Sequence, residues 1–179
     1  MTVSGTSIYR LTAPLGVDAS RILAALRRMP GVDSVEPDLW VTPDVVPNDP
    51  LASQLWGLLG PGDGSPYGID ARAAWSTTTG TGVTVAVIDT GLLFGHPDLA
   101  GQSVPGYDMI TSPAVSRDGG GRDPDASDPG DTCQAEPSSW HGTHVAGTIA
   151  ALADNAIGVF GGAPGGRIEP VRAIGACGG

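Results

Sequence analysis

The stretch Val83-Thr-Val-Ala-Val-Ile-Asp-Thr-Gly91 decides the fold class. Residues 83–88 are apolar at almost every position, which is typical of a strand covered on both faces in a parallel sheet. Asp89 follows at the carboxyl end of this strand, where open α/β sheets place their functional groups. A carboxylate buried there needs hydrogen-bond partners. Asp89 is therefore a candidate site residue, and a turn-capping role within Asp-Thr-Gly is the alternative.

A second stretch, Ser138-Ser-Trp-His-Gly-Thr-His-Val-Ala-Gly-Thr-Ile-Ala150, predicts a helix that either serine could cap. His141 lies in its first turn at the sheet edge, where it can reach solvent, and His144 follows one turn later on the same side. Gly142 and Gly147 each reduce helix stability by roughly 1 kcal/mol relative to Ala. Two glycines in one helix predict that another backbone packs very close to it.

The remaining hydrophobic pattern alternates strands and helices, which predicts an α/β sheet. Asp18 and Asp70 are candidate N-caps. Residues 112–140 are rich in Asp, Gly, Pro and Ser and are predicted to form a long surface loop. The predicted strands are Ser7–Leu11, Val32–Val41, Val83–Ile88 and Arg167–Ile174, and the predicted helices are Ser20–Met29, Ile69–Trp75 and His141–Leu152.

Composition excludes several classes of function. The net charge of −10 with no run of Lys or Arg argues against a nucleic-acid partner. No apolar run approaches the roughly 20 residues that span a bilayer, so no membrane partner is expected. Cys133 with His141 and His144 offers at most three zinc ligands in no recognised pattern. The two cysteines can form one disulfide or remain thiols.

Three motifs in order resemble the subtilisin-like serine peptidases. They are the Asp89 stretch, His96-Pro-Asp-Leu99 and the His141 stretch, with Asp89 and His141 separated by 52 residues. Pro170-Val-Arg-Ala-Ile174 resembles the strand that follows the histidine helix in that family. The resemblance implies an α/β fold: an incomplete subtilisin-like parallel sheet with helices on both faces, preceded by a small α+β propeptide remnant.

The resemblance also implies the roles of the site residues. His141 would be the general base and Asp89 the residue that orients it, as in the Asp–His–Ser triad of subtilisin, while His144 matches a structural histidine. The family's serine stands in Gly-Thr-Ser-Met-Ala, and no such motif follows His141. Gly5-Thr-Ser7 precedes Asp89, and Asn155 is not equivalent to the family's oxyanion asparagine.

The function implied is serine endopeptidase activity on protein or peptide substrates, without a cofactor for the chemistry. Without nucleophile and oxyanion donor, residues 1–179 alone are expected to be inactive, at a loss on the order of a millionfold. The alternative is a non-catalytic pseudoenzyme or a protease-binding inhibitor module. The sheet would expose unpaired edges and an apolar face, which predicts poor autonomous folding.

Three segments are expected from the same resemblance. Residues 1–41 resemble the C-terminal half of the family's propeptide, which docks on the catalytic domain. Residues 42–50, with three prolines, form a linker with the maturation site. Residues 51–179 form the N-terminal part of the catalytic domain. The family also implies secretion, although residues 1–5 show no signal-peptide pattern.

A structural ion and a cross-link complete these expectations. Asp98 and Asn155 match calcium ligands of several relatives, and Gln54 is a possible third. Oxygen donors suit calcium, while capping of a turn after Pro97 is the alternative for Asp98. Secreted relatives also suggest a Cys133–Cys177 disulfide.

Overall fold

The computed structural model describes residues 2–3, 6–7, 9–12, 17–36, 47–133 and 137–178. The chain divides into two compact units, Met1–Pro43 and Asp44–Gly179. The division falls within residues 42–50, the segment expected to be a linker.

The first unit is a short hairpin and one helix. Strand β1 (Thr2–Val3) pairs antiparallel with β2 (Thr6–Ser7), and helix α1 spans Ala19–Leu26. Asp18 caps α1, since its Oδ1 accepts a hydrogen bond of 2.9 Å from the backbone N–H of Ser20. No residue of α1 is buried.

Two strand predictions fail in this unit. Of the predicted Ser7–Leu11 strand, Ser7 lies in β2, residue 8 is outside the described residues, and residues 9–11 form no strand. Of the predicted Val32–Val41 strand, residues 32–36 form no strand, and residues 37–41 lie outside the described residues. An extended run becomes a strand only when a neighbour pairs with it and a face is buried. With no buried residue on α1, this unit offers no such apolar surface among its described residues.

The second unit is built on a parallel sheet. Its helices are α2 (Ala71–Trp75), α3 (Pro113–Ser116) and α4 (His141–Ala150). Its strands are β3 (Thr84–Asp89), β4 (Tyr107–Asp108) and β5 (Arg167–Arg172). The strand order is β3-β5-β4, and both pairings are parallel. The predicted α/β parallel sheet is confirmed.

Helix α4 covers one face of this sheet. On that face Val85, Val87 and Asp89 of β3 lie opposite Ile168, Pro170 and Arg172 of β5. The core cluster joins both strands to α4 and to two leucines that follow β3 in the chain, and its members are Val87, Leu92, Leu99, Ala146, Ala150 and Ile168.

The opposite face of the sheet is open in the described part of the chain. Thr84 and Ala86 are exposed there, and Ile88 keeps 68% of its surface accessible. The apolar run of β3, which predicts burial on both sides, is therefore buried on one side here. Helices were expected on both faces of the sheet. In the described residues, helix α4 covers one face and the other face is open.

Two local predictions are corrected. Residues 112–140 do not form only a surface loop, because they contain α3 and bury Ser116, Ala126 and Asp128. Asp70 precedes α2 but does not cap it, since its φ of 53° is left-handed and its side chain makes no capping hydrogen bond. Its carboxyl group packs instead against Gly60, where an added Cβ would lie 2.5 Å from Cγ of Asp70.

The two glycines of α4 behave differently. A Cβ on Gly142 would lie 2.3 Å from the carbonyl oxygen of Gly91, whereas a Cβ on Gly147 meets nothing within 4 Å. The predicted close backbone approach is thus confirmed for Gly142 and wrong for Gly147. We expect Gly142→Ala to lower the free energy of unfolding by about 1–3 kcal/mol through overpacking. Gly147→Ala should raise it by up to about 1 kcal/mol. Urea unfolding of both variants checks this, and equal effects would contradict it.

Candidate active site

Asp89 and His141 meet at the carboxyl end of β3. Nδ1 of His141 lies 2.8 Å from both Oδ1 and Oδ2 of Asp89. The carboxylate is nearly buried, with 10% of its side chain exposed, whereas the imidazole is 62% exposed. The pair therefore combines an anchored acid with a ring that remains open to solvent.

Thr90 joins the strand end to the helix start. Its Oγ1 accepts a hydrogen bond of 3.0 Å from the N–H of Gly142 and donates one of 2.7 Å to Oδ2 of Asp128. The backbone N–H of Thr90 donates to Oδ1 of Asp89 at 2.7 Å. Because these groups are buried, their bonds fix β3 and α4 relative to each other. Thr90 and Asp128 were not predicted from the sequence, although the hydroxyl in Asp-Thr-Gly is a residue type that forms buried polar links.

The start of α4 differs from the prediction. Trp140, not Ser138 or Ser139, occupies the N-cap position, with a left-handed φ of 50° and no side-chain capping bond. The hydroxyl of Ser139 still accepts a hydrogen bond of 3.2 Å from the N–H of His141. Ser139, the residue before the N-cap, therefore supplies the hydrogen-bond acceptor for the first backbone N–H of the helix.

A buried arginine network flanks the site and was missed from the sequence. Arg172, 1% exposed, donates to Oδ2 of Asp108 at 2.6 Å, to Oδ2 of Asp118 at 2.8 Å and to the carbonyl of Ser116. It lies opposite Asp89 in the sheet register. Burial raises the pKa of Asp108 above its ordinary value. The strand pattern could have indicated this burial, because every second residue of β5 faces the core and Arg172 follows Ile168 and Pro170 in that alternation.

Two carboxylates make the second unit sensitive to acid. The N–H of Gly120 and then the hydroxyl of Ser116 lower the pKa of Asp118 to about 2, and the Ser139 hydroxyl does the same for Asp131. Both start from an ordinary value of 3.8. Their stabilisation is therefore complete above about pH 4 and is lost as the pH falls through about 2. Asp108 acts in the opposite direction, because its raised pKa adds stability as the pH falls toward 3.8, above the range in which Asp118 and Asp131 titrate.

We expect the free energy of unfolding, measured in urea, to fall between about pH 4 and about pH 2. The double variant Asp118→Asn with Asp131→Asn should start lower and show a smaller decline over this range. An undiminished decline in the double variant would contradict the assignment of acid sensitivity to these two groups.

Asp98 and Asn155 lie together, as the calcium prediction requires. Asp98 is 2% exposed, and its Oδ1 accepts a hydrogen bond of 2.9 Å from Nδ2 of Asn155. Its Oδ2 accepts from the N–H of Val159 at 2.9 Å. Asn155 thus presents its amide nitrogen, and ligation by its oxygen requires the amide to turn. Gln54 lines a cavity beside Asp98, and nothing among the described contacts joins these two side chains.

Asp49 reaches the same loop from the other side. Its Oδ2 accepts a hydrogen bond of 2.9 Å from the N–H of Asp154, and Leu51 N–H donates to the carbonyl of Gly158 at 2.8 Å. Asp49 is 4% exposed, yet its Oδ1 has no hydrogen-bond partner among the described residues. A buried oxygen without a partner is costly. Asp49 and Asp98 thus bind this loop from two other segments, one of them with a vacant oxygen, and such carboxylate oxygens fit a hard cation.

A largely apolar cavity of about 850 Å³ lies beside the histidine helix. His144 and Gly147 line it from α4, and Trp56, Leu93 and Phe160 line it from neighbouring segments. Asp89 and His141 do not line it. His144 therefore faces the cavity and stays apart from the acid–base pair.

Cys133 and Cys177 are joined in a disulfide with a Cα–Cα distance of 4.6 Å. This bond removes Cys133 from any zinc site with His141 and His144. Across the described part of the chain, no group of three or more His, Cys, Asp or Glu side chains is placed to hold a metal ion. The same ranges contain no helix that is long and apolar enough to cross a membrane.

The chain matches a known family over this site. A sequence profile described as the subtilase family matches residues 80–179, which is more than half of the chain. The chain belongs to the subtilase family. The matched residues include both Asp89 and His141, so the resemblance seen in the motifs is confirmed.

Several relatives and a solved structure resemble this subtilase chain. The extracellular protease of Xanthomonas campestris is 42% identical over 171 residues, and the extracellular basic protease of Dichelobacter nodosus is 42% identical over 176 residues. Each alignment covers 90% of this chain but only 29% and 28% of the relative. A protease structure from Pseudoalteromonas arctica matches with 47% identity and a TM-score of 0.70, covering 75% of this chain and 41% of the other. The chain therefore spans under a third of the length of these curated relatives.

Proposed function

We propose that this subtilase chain supplies the acid and the base of a serine endopeptidase that acts on protein or peptide substrates. One observation supports this most strongly: Nδ1 of His141 lies 2.8 Å from both carboxylate oxygens of Asp89. Since Nδ1 faces the carboxylate and the imidazole is 62% exposed, Nε2 is left for a hydroxyl group. This is the geometry of a base held by an orienting acid.

In the proposed reaction, Nε2 of His141 takes the proton of a serine hydroxyl as its oxygen attacks the scissile carbonyl carbon. The imidazolium then returns that proton to the leaving amine nitrogen. Asp89 keeps the imidazole in the tautomer with the proton on Nδ1, stabilises the imidazolium and remains ionised throughout. No cofactor takes part in these steps.

The serine and the oxyanion donor must come from outside residues 1–179, because no Gly-Thr-Ser-Met-Ala motif follows His141. We therefore expect no peptidase activity from these residues alone. A pseudoenzyme or an inhibitor module is the alternative. An intact Asp89–His141 pair favours catalysis, because an inhibitor has no use for an oriented base.

The proposal extends to the other segments. Residues 1–41 would be the propeptide remnant, residues 42–50 the linker that holds the maturation site, and residues 51–179 the start of the catalytic domain. Secretion is supported by relatives named extracellular proteases. A disulfide also fits an oxidising compartment.

Calcium is proposed as a structural ion held by Asp98, Asn155 and, from its vacant oxygen, Asp49. The ion would stabilise the loop between Asp154 and Val159 and take no part in catalysis. We expect calcium to raise the thermal unfolding midpoint of the chain and Asp49→Asn to reduce that increase. Magnesium serves as the control, since it demands a smaller octahedral site. An equal response to both ions would contradict a calcium site.

A chimaera tests the catalytic proposal. This chain is joined at residue 179 to the part of the Xanthomonas campestris extracellular protease that follows the aligned region, and peptide hydrolysis is measured. We expect activity in the chimaera and a loss on the order of a millionfold in turnover for His141→Ala. His144→Ala is the matched control, because it alters a histidine on the same helix away from Asp89. Retained activity in His141→Ala would refute the role of base, and a well-folded chimaera without activity would favour the pseudoenzyme.

A further inference from the structure

The entry to helix α4 adopts an unfavourable backbone conformation. Trp140, the residue before His141, has a φ of 50°, which bulky side chains rarely adopt. Its side chain makes no capping bond to the helix. Such a conformation is costly and persists only where neighbouring contacts hold it. The position of His141 therefore depends on contacts made by the residues just upstream.

Asp131 provides these contacts. Its Oδ1 accepts hydrogen bonds of 2.7 Å from the hydroxyl of Ser138 and from the N–H of Ser139. Its Oδ2 accepts from the hydroxyl of Ser139. Ser138 returns a bond, since its Oγ accepts from the N–H of Asp131 at 3.1 Å. One carboxylate thus binds both serines that lead into the helix.

Ser139 connects this carboxylate to the base. Its hydroxyl donates its proton to Asp131, and its oxygen accepts a hydrogen bond of 3.2 Å from the N–H of His141. Both hydrogen bonds can therefore form at the same time. The N–H of a first helical residue has no partner within the helix. The bond from Ser139 therefore fixes the backbone from which the imidazole of His141 projects toward Asp89. Ser138 makes no such bond to His141.

Asp131 is itself anchored on two sides. Upstream, Gly130 N–H donates to Oδ1 of Asp128 at 2.8 Å, and Asp128 accepts from Thr90, which follows Asp89. Downstream, the Cys133–Cys177 disulfide begins two residues away, and Cys177 N–H lies 3.4 Å from the carbonyl of Asp131. The carboxylate is thus tied to the end of β3 and to the segment after β5.

We propose that Asp131 is a positioning residue that holds His141 against Asp89 through the hydroxyl of Ser139. The disulfide holds Asp131 in the place where it can do so. This inference rests on the proposed role of His141 as base. It adds a second acid to the site, one that acts on the backbone of the base and not on its ring.

The test follows the Nδ1 proton of His141 by ¹H–¹⁵N NMR in the oxidised chimaera described above, because residues 1–179 alone are expected to fold poorly. His141→Gln assigns the signal. In Asp131→Asn we expect exchange of this proton with water to be faster by about tenfold or more, the change expected when a hydrogen bond to a charged group is lost. Asp125→Asn is the matched control, because Asp125 binds the N–H and hydroxyl of Ser127 in the same loop.

A second pair of variants keeps the test decisive if Asp131→Asn unfolds the chain. Ser139→Ala removes the bridge to His141, whereas Ser138→Ala removes an equal hydroxyl from the same carboxylate. Faster exchange in Ser139→Ala alone supports the proposal, and equal exchange in both variants overturns it. A protected Nδ1 proton that Asp131→Asn leaves unchanged also overturns it, but leaves the proposed function standing. An unprotected proton in the unaltered chimaera contradicts the proposed function itself.

Discussion

Asp89→Asn is expected to lower the turnover number of the chimaera about 10⁴-fold, the order known for this change in serine-protease triads. A loss of about 10⁴-fold corresponds to about 5 kcal/mol of transition-state stabilisation. The physical reason is the tautomer of His141. The introduced amide could donate an N–H to Nδ1, which would move the imidazole proton to Nε2 and leave no base facing the serine. The Michaelis constant should change little, because Asp89 is buried beneath the imidazole.

Hydrolysis kinetics of the purified chimaera check this expectation. Asp125→Asn serves as the control, since Asp125 is an exposed carboxylate within residues 112–140 and makes no described contact with His141. A loss in Asp89→Asn of only a few-fold, with the fold retained, would contradict the orienting role. Equal losses in both variants would point to a general effect of charge.

Arg172→Met is expected to lower the free energy of unfolding by about 3–5 kcal/mol, because it leaves a buried charge without its partner. Asp108 is fully buried, whereas Asp118 lies at the surface with 17% of its side chain exposed, and Arg172 donates to both carboxylates. Met fills a similar volume, so the loss reports the charge and its hydrogen bonds more than packing. The same variant should raise the pKa of Asp118, which Arg172 helps to lower.

Urea unfolding checks this second expectation, with Arg167→Met as the matched control on the same strand. Arg167 is exposed and donates to the carbonyl of Gly101 and to Gln102. Removal of an exposed charge should cost at most about 1 kcal/mol. Similar losses for Arg172→Met and Arg167→Met would show that the buried network contributes little to stability.

The sheet and the acid–base pair could be predicted because their signals are local. The apolar run before Asp89 predicts a buried parallel strand, and small residues after His141 predict a helix that packs closely. The carboxyl end of such a strand is where a site is expected. The structure then brings Asp89 and His141, 52 residues apart in sequence, to 2.8 Å.

The contacts that support the pair could not be predicted in the same way. Asp131, Asp128 and Thr90 lie in or beside loops, where hydrogen bonds depend on backbone turns that leave no periodic pattern. The left-handed φ of Trp140 is invisible to propensity, because tertiary contacts impose it. The sequence predicts helix caps at the serines before His141, and only the structure shows that their main partner is Asp131.

The most direct test of the central claim is the tautomer of His141, read from the ¹⁵N chemical shifts of its ring in the oxidised chimaera. The pairing with Asp89 predicts that neutral His141 carries its proton on Nδ1. His96 is an internal reference with the opposite expectation, because its Nδ1 accepts the N–H of Asp98 at 3.3 Å. A proton on Nδ1 of His141 and on Nε2 of His96 would support an oriented base. A neutral His141 with its proton on Nε2 would contradict the account.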